Sequence, residues 1–327
     1  MKVLVTGAAG FIGSQLCERL LARGDRVVGL DNFDPFYPRP MKLKNLAAAL
    51  AHPAFKLVEG DVRTAADIHK ALATGEGAPE VVVHLAALAG VRPSLLEPER
   101  FYDVNVMGSV RVFGACQAAG ITRVVFASSS SVYGQDSAVP FREQDPCGRP
   151  LSPYAASKRA GELIAWNTHH LHGMALACLR FFTVFGPRQR PDLAIHKFVS
   201  AMSRGEPIEL FGDGSTARDY TYIDDTIDGV VAAIDRLVAG PADFRIYNLG
   251  GSRTTSLARL VELIAAELKV SPRIVWKPEQ AGDMRHTLAD VSLAQRELGF
   301  APKVGLEEGI ARFVKWWRTR DSLITPG

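Results

Sequence analysis

The sequence predicts an α/β protein built on a doubly wound parallel sheet, with a smaller α/β unit towards its C-terminus. Three observations predict it. Short β-branched runs alternate with helical stretches through the first 180 residues, the pattern of strand–helix–strand crossovers in a parallel sheet. The run Val81-Val82-Val83-His84-Leu85 is almost continuously apolar, which suits a strand covered on both faces. After Arg180 the segments shorten and become richer in Gly, Pro and Arg, as at 185–191 and 211–218.

In chain order, strands are expected at 3–6, 27–30, 56–58, 81–85, 124–127 and 175–179, and helices between them at 11–23, 65–73, 100–119 and 153–172. Ser152 and Pro153 are suited to the N-cap and first turn of the last of these. Further helices are expected near 224–237, 256–268 and 306–317, with a strand near 247–249. Residues 1–180 thus read as the first domain, to which segments at roughly 219–249 return. Residues 181–327 read mainly as a substrate-binding domain. A chain of 327 residues suits two domains or one large unit with a cap, at roughly 100–200 residues per domain.

Composition narrows the function classes. The hydrophobic fraction is 47% and the charged fraction 22%, enough for a full core. A dispersed net charge of +3 argues against a nucleic-acid or anionic-membrane partner. The apolar run after Met1 is too short for a leader, and no stretch is long enough to span a bilayer, so a cytoplasmic enzyme is expected. Cys17, Cys116, Cys147 and Cys178 lie far apart without a CxxC pair, so neither a disulfide framework nor a metal site is expected.

Gly7-Ala8-Ala9-Gly10-Phe11-Ile12-Gly13 ends the first strand and opens the first helix. Gly7 permits a tight turn, Gly10 lets the backbone approach a pyrophosphate, and Gly13 lets helix and strand pack closely. The helix N-terminus offers free N–H groups to the phosphates. This makes the first unit a Rossmann-type, dinucleotide-binding one. Asp31, about 20 residues further on, is placed to accept hydrogen bonds from the ribose hydroxyls and to repel a 2′-phosphate, so NAD is expected over NADP. Asp61-Val62 follows the third strand and reads equally as an adenine contact or as the cap of the helix from Ala65. Leu85-Ala86-Ala87 ends the fourth strand with residues small enough for close cofactor approach.

Tyr154 and Lys158 stand four residues apart at the start of a helix, on one face. A lysine there is expected to lower the phenol's pKa from its reference near 10. The serine cluster Ser128-Ser129-Ser130-Ser131 follows a strand at the carboxyl edge of the sheet, where α/β active sites lie.

At these residues the chain resembles the extended short-chain dehydrogenase/reductases, and among them the NAD-dependent nucleotide-sugar 4-epimerases. The motifs are TGAAGFIGS (6–14), DN (31–32), HLAA (84–87), SSSSVYG (128–134), YAASK (154–158), RFFTVFGPR (180–188) and RDYTYIDD (218–225). The resemblance implies that Ser129, Tyr154 and Lys158 are catalytic. Tyr154 would take the 4-hydroxyl proton while NAD takes the C4 hydride, and both would return to the other face after the 4-keto sugar rotates. It also implies cofactor contacts from Asn32, Asn105, Ser128 and Phe181, and a homodimer formed by the helices at 100–119 and 153–172. Related dehydratases carry an Asp-Glu pair after the catalytic residue, and UDP-glucuronate decarboxylases a Glu at the second position. Here those positions are Ser130 and Ser131, whose neutral hydroxyls cannot supply that acid–base work.

The substrate implied is a UDP-sugar. Arginine suits its anionic groups through a planar donor fork, and Arg92, Arg188, Arg190, Arg218 and Arg285 are candidates. The resemblance assigns Arg218 to the diphosphate and Asp283 to the uridine ribose. Phe211 reads either as a uracil-packing ring or as core. Thr183 stands where UDP-galactose 4-epimerases commonly have Asn, and with Ser130, Ser131 and nearby Arg190 it resembles the carboxylate pocket of UDP-glucuronate 4-epimerases. Thr287 at the gatekeeper position leaves room for a larger substituent, so a UDP-glucose or UDP-N-acetylglucosamine 4-epimerase is the alternative. A non-catalytic NAD-sensing protein is the reading from another class.

Overall fold

The computed structural model describes residues 1–134, 137–278 and 284–321. Its strands in chain order are β1 (Lys2–Thr6), β2 (Arg26–Asp31), β3 (Phe55–Glu59), β4 (Val81–His84), β5 (Arg123–Ser129), β6 (Ala175–Phe181), β7 (Thr183–Phe185), β8 (Ile208–Phe211), β9 (Ala217–Tyr222), β10 (Phe244–Leu249), β11 (Thr254–Ser256) and β12 (Ile274–Lys277). Seven of them form one parallel sheet in the order β10-β6-β5-β4-β1-β2-β3. The winding reverses between β1 and β4, so their carboxyl ends part and leave a crevice. Both strands are buried along their whole length, which is why they read as unbroken apolar runs. Each strand expected in the first 180 residues is present to within two residues.

The helices Ala65–Ala73 and Pro153–His172 have the boundaries expected from sequence. Ser152 Oγ accepts the Ala155 N–H at 3.2 Å and caps the second of them. The expected helix at 100–119 is continuous but not regular. Helices Pro98–Tyr102 and Gly108–Ala118 are joined by a π-helical turn, Asp103–Met107. That widened turn carries Asn105, whose buried amide holds both backbone groups of Leu88. Helices Arg39–Leu50, Val91–Leu96 and Ala194–Ser203 have no counterpart in the sequence reading. The first two carry proline in the first turns, where the missing N–H costs nothing, so what reads as a breaker is a start.

The second half is interwoven with the first. Strands β7, β9 and β11 form a small sheet, and β8 pairs with β12. Strand β9 (217–222) belongs to that small sheet. Helix Ile223–Ala239 packs on β5 and β6, and β10 then adds to the edge of the large sheet along β6. One apolar cluster runs from Val3 and Leu16 through Ile223 and Val230 to Leu260 and Phe313, so the two parts share a core.

A buried ion pair fixes the helix Pro153–His172 against the sheet. Arg180 on β6 donates to Glu162 from Nε at 2.8 Å and from Nη2 at 2.9 Å, with both side chains at most 1% exposed. Ser128 Oγ and Arg159 Nη1 fill the remaining carboxylate positions at 2.6 and 2.9 Å. Burial pushes the Glu162 carboxyl up, but these donors outweigh it and hold its pKa below the usual range.

Removing one partner leaves an uncompensated buried charge, so Arg180→Met is expected to cost about 3–5 kcal/mol in chemical denaturation, with Glu162→Leu/Arg180→Met recovering part of it. Because the folded pKa of Glu162 is depressed, its contribution is complete above the unfolded value of about 4.3 and is lost as pH falls through the folded value. Acid unfolding of the double variant should therefore be less steep than that of the wild type.

Candidate active site

The crevice is the mouth of a cavity of about 490 Å³ that runs across the carboxyl ends of β1, β2, β4 and β5. Gly7, Gly10, Phe11, Ile12 and Gly13 line one wall. Gly7 has φ +70°, and a Cβ there would lie 2.8 Å from Ala86 N. A Cβ on Gly13 would lie 2.1 Å from Gly7 O. The turn is thus closed to side chains on its protein side. The helix Phe11–Ala22 begins at Gly10 with no side-chain cap and no acidic residue in its first turn, so its N–H groups are presented to the cavity.

Asp31 lies at the far end of this wall. Its oxygens accept Ala9 N–H at 2.9 Å and Phe33 N–H at 2.8 Å, which orients the carboxylate at the cavity edge. Burial raises its pKa, and the Lys42 charge and the two N–H donors oppose that rise. Asn32 donates to Asp61 at 2.8 Å, and both line the cavity with Val62. The alternative for Asp61 as a helix cap is excluded, because the helix starts from Thr64 and Asp61 accepts from Arg63 N instead. Arg63 and Asn32 outweigh burial and hold its pKa at about 2.

A buried relay sets Leu85, Ala86 and Ala87, which form the opposite wall. Ser109 Oγ donates to Asn105 O at 2.6 Å and therefore accepts from His84 Nε2 at 3.1 Å. His84 Nδ1 is then the acceptor for the Thr6 hydroxyl at 2.7 Å, and Thr6 Oγ1 accepts Ala86 N–H at 3.1 Å. Burial and the Lys158 charge hold the His84 pKa down at about 3, so the ring is neutral, as this relay requires. Asn105 itself does not line the cavity. Its amide is committed to Leu88 and to Ser157 Oγ, so it supports the wall from behind. Phe181 and Ser128 do line it, though the Ser128 hydroxyl is turned away to Glu162.

Tyr154, Lys158 and Ser129 converge on the cavity. Ser129 is the first of the groups that draw the Tyr154 pKa down, and its Oγ donates to Ser131 Oγ at 3.1 Å. Lys158 is held from the sheet side. Its Nζ donates to Ala127 O at 2.8 Å, and burial alone lowers its pKa to about 8. Burial raises the Tyr154 pKa, and the groups that pull it back are Ser129 and Arg190, not Lys158. In this state desolvation outweighs the attraction of a lysine that is already bonded elsewhere.

Beyond Tyr154 the cavity is lined by Ser129, Ser130, Ser131, Thr183, Arg190, Arg218 and Thr287. Arg190 binds Asp192 through Nε at 2.9 Å and Nη2 at 2.7 Å, and Nη2 also donates to Ala89 O. Arg218 donates to the Ala217 and Arg285 carbonyls. Thr287 Oγ1 accepts Asp219 N–H at 3.0 Å, and the thereby anchored Asp219 carboxylate holds Gly251, Ser252 and Ala289 N–H groups. Arg92 and Phe211 are not on the cavity wall. They stack on one another, with the guanidinium 4.5 Å from the ring centre. Arg188 is bound bidentately by Glu18 and is likewise off the wall. Asp283 lies outside the described residues.

The sequence reading passed over Asp34, Phe36, Tyr37 and Lys42, all of which line the cavity. They lie in a proline-rich stretch without periodicity, and only the chain's path over the edge of β2 brings them there. The four cysteines are buried free thiols. Among the described residues no group of His, Cys, Asp or Glu could hold a metal ion, and no helix is long and apolar enough to cross a membrane.

Comparison with known proteins agrees with this geometry. UDP-glucuronate 4-epimerase 4 of Arabidopsis thaliana is 40% identical over 97% of this chain and 75% of its own length. A probable UDP-glucuronate 4-epimerase of Rhizobium meliloti is 37% identical over 97% of each chain. The crystal structure of UDP-glucuronic acid 4-epimerase from Bacillus cereus, in complex with UDP-glucuronic acid and NAD, superposes with a TM-score of 0.91 at 34% identity, covering 98% of this chain and 100% of that one. Residues 3–250 match the NAD-dependent epimerase/dehydratase family, and this chain belongs to that family.

Proposed function

We propose that this protein interconverts UDP-glucuronate and UDP-galacturonate by reversible oxidation at C4 of the sugar. One observation carries the reading. The cavity presents the hydroxyls of Ser129, Ser130, Ser131 and Thr183 from the ends of β5 and β7 together with Arg190, while the carboxylates on its described lining, Asp31, Asp34 and Asp61, come from the ends of β2 and β3. That surface can hold a uronic carboxylate and has no acid to protonate a leaving hydroxyl. The relatives named as UDP-glucuronate 4-epimerases support the same substrate.

Gly7, Gly10, Phe11, Ile12 and Gly13 would hold NAD, which would supply a reversible hydride acceptor for C4. Tyr154 takes the proton from the 4-hydroxyl and gives it back, and Ser129 bonds the reacting oxygen and lowers the phenol's pKa against the effect of burial. Lys158 lines the same wall with a pKa lowered by burial to about 8, so its ammonium is still largely protonated at neutral pH and can donate to an occupant. Arg218 takes the UDP diphosphate. The 4-keto uronate formed on the way is a β-keto acid that loses CO₂ when the carboxylate bond stands perpendicular to the ketone. Ser130, Ser131 and Thr183 hold that bond near the ketone plane.

The active form is a homodimer. Met107, Val110, Leu163, Trp166 and Leu171 are 41–62% exposed on the helix pair that carries Tyr154 and Asn105, and a Cβ on Gly114 of the same pair would meet nothing within 4 Å. Such an apolar face is suited to a second copy of itself.

Product-resolved assays on UDP-glucuronate, UDP-glucose and UDP-N-acetylglucosamine should show the highest kcat/KM for the uronate, and a preference for either neutral sugar would sink the assignment. Tyr154→Phe is expected to lose about 10²–10⁴-fold in kcat with bound NAD unchanged. Thr183→Ala should raise the share of UDP-pentose among products from UDP-glucuronate, and an unchanged share would refute the planar-carboxylate role. Trp166→Glu should convert the dimer to monomer in analytical ultracentrifugation.

A further inference from the structure

Lys42 sits in the helix Arg39–Leu50, is only 6% exposed, and lines the cavity close to Asp31. A buried ammonium is expensive unless its donors are filled. Its Nζ donates to Asp34 O at 2.8 Å and lies 4.7 Å from the centre of the Tyr37 ring. Among the described residues that is its one hydrogen bond, so even with the ring as a second partner the ammonium, on a residue that lines the cavity, keeps a donor without an acceptor. The loop that brings it there is anchored independently. Asp34 is held by both Arg100 Nη2 contacts, at 2.9 and 2.8 Å, and Arg39 is paired with Glu59. Pinning the loop therefore does not require a cation at position 42. Asp31 spends one lone pair of each oxygen on Ala9 and Phe33, which leaves each oxygen with acceptor capacity.

We propose that Lys42 is a cofactor-binding residue that works with Asp31 on the adenosine ribose, Lys42 donating to the vicinal hydroxyls and Asp31 accepting from them. The pair supplies a donor and an acceptor to a diol that needs both. It also makes the choice of dinucleotide one-sided. The cation that a 2′-phosphate would seek is already present at Lys42, and the negative charge of Asp31 is what excludes that phosphate. Burial lowers the Lys42 pKa while Asp31 and Asp34 raise it, so the carboxylates help to keep the ammonium charged.

The test reads cofactor retention, not turnover, and is therefore independent of which sugar is epimerised. Holoprotein carrying its co-purified nucleotide is diluted into excess labelled NAD, and exchange is followed by mass spectrometry. Lys42→Met and the polar variant Lys42→Gln should each release NAD about tenfold faster or more than wild type, whereas Lys42→Arg should stay within a few-fold. In parallel, Asp31→Asn holoprotein is exchanged against NADP. It should take up NADP, and Asp31→Asn/Lys42→Gln should not. Melting temperatures in excess NAD separate lost binding from lost folding, and Lys42→Gln serves if Lys42→Met does not fold. Wild-type release rates in both neutral variants, or NADP uptake by Asp31→Asn that is indifferent to Lys42, would overturn the proposal.

Discussion

The Glu162 carboxylate, closed in by Arg180, Arg159 and Ser128, is the interaction on which the site depends. Helix Pro153–His172 carries Tyr154 and Lys158, while β5 ends in Ser128 and Ser129. Apolar packing alone lets a helix slide or rotate on a sheet at modest cost, because the hydrophobic effect is non-directional. A bidentate guanidinium–carboxylate pair has one geometry. It sets the helix against β5 and β6 so that Ser129 reaches Tyr154 and Lys158 reaches Ala127 O. The same Arg180 lies over the Tyr133 ring, whose hydroxyl donates to Asn248 on β10, so the anchoring continues to the edge strand that brings the second half back.

Burial and charge oppose one another at the reaction centre. Desolvation pushes the Tyr154 phenol up and the Lys158 ammonium down, so both groups rest nearer neutrality than in water. Nearby, His84 shows the opposite solution: every polar atom of the Thr6–His84–Ser109 relay is satisfied internally, so a neutral imidazole can be fully buried and hold the Leu85–Ala87 wall rigid. The neutral relay is structural, and the strained pair of ionisable groups is the chemical one.

The sugar end is built differently from the cofactor end. Glycines and backbone N–H groups make the latter, and they are set by local turn geometry. The former is assembled from β5, β7, β9 and a loop at 284–289, and Asp219 on β9 ties that loop to the turn after β10 through the Ala289, Gly251 and Ser252 N–H groups. Burial raises the Asp219 pKa to about 6 against those donors. This end of the cavity therefore rests on long-range contacts.

What the sequence determined by itself is what depends on near neighbours. The strands of the large sheet, the Gly7–Gly13 turn, the Asp31 carboxylate and the four-residue spacing of Tyr154 and Lys158 are local patterns with local causes. The Ser130-Ser131 pair likewise excluded an acid from chemistry alone. Tertiary structure decided the rest. It turned Asn105 inward to Leu88 and Ser157, stacked Arg92 on Phe211 away from the cavity, gave Arg188 to Glu18, and left Lys158 bonded to Ala127. It also carried Lys42 out of an unremarkable proline-rich stretch into the cofactor wall. A side chain's partner is chosen by what the fold places within hydrogen-bond reach, and in a doubly wound sheet those neighbours come from strands and loops far apart in the chain.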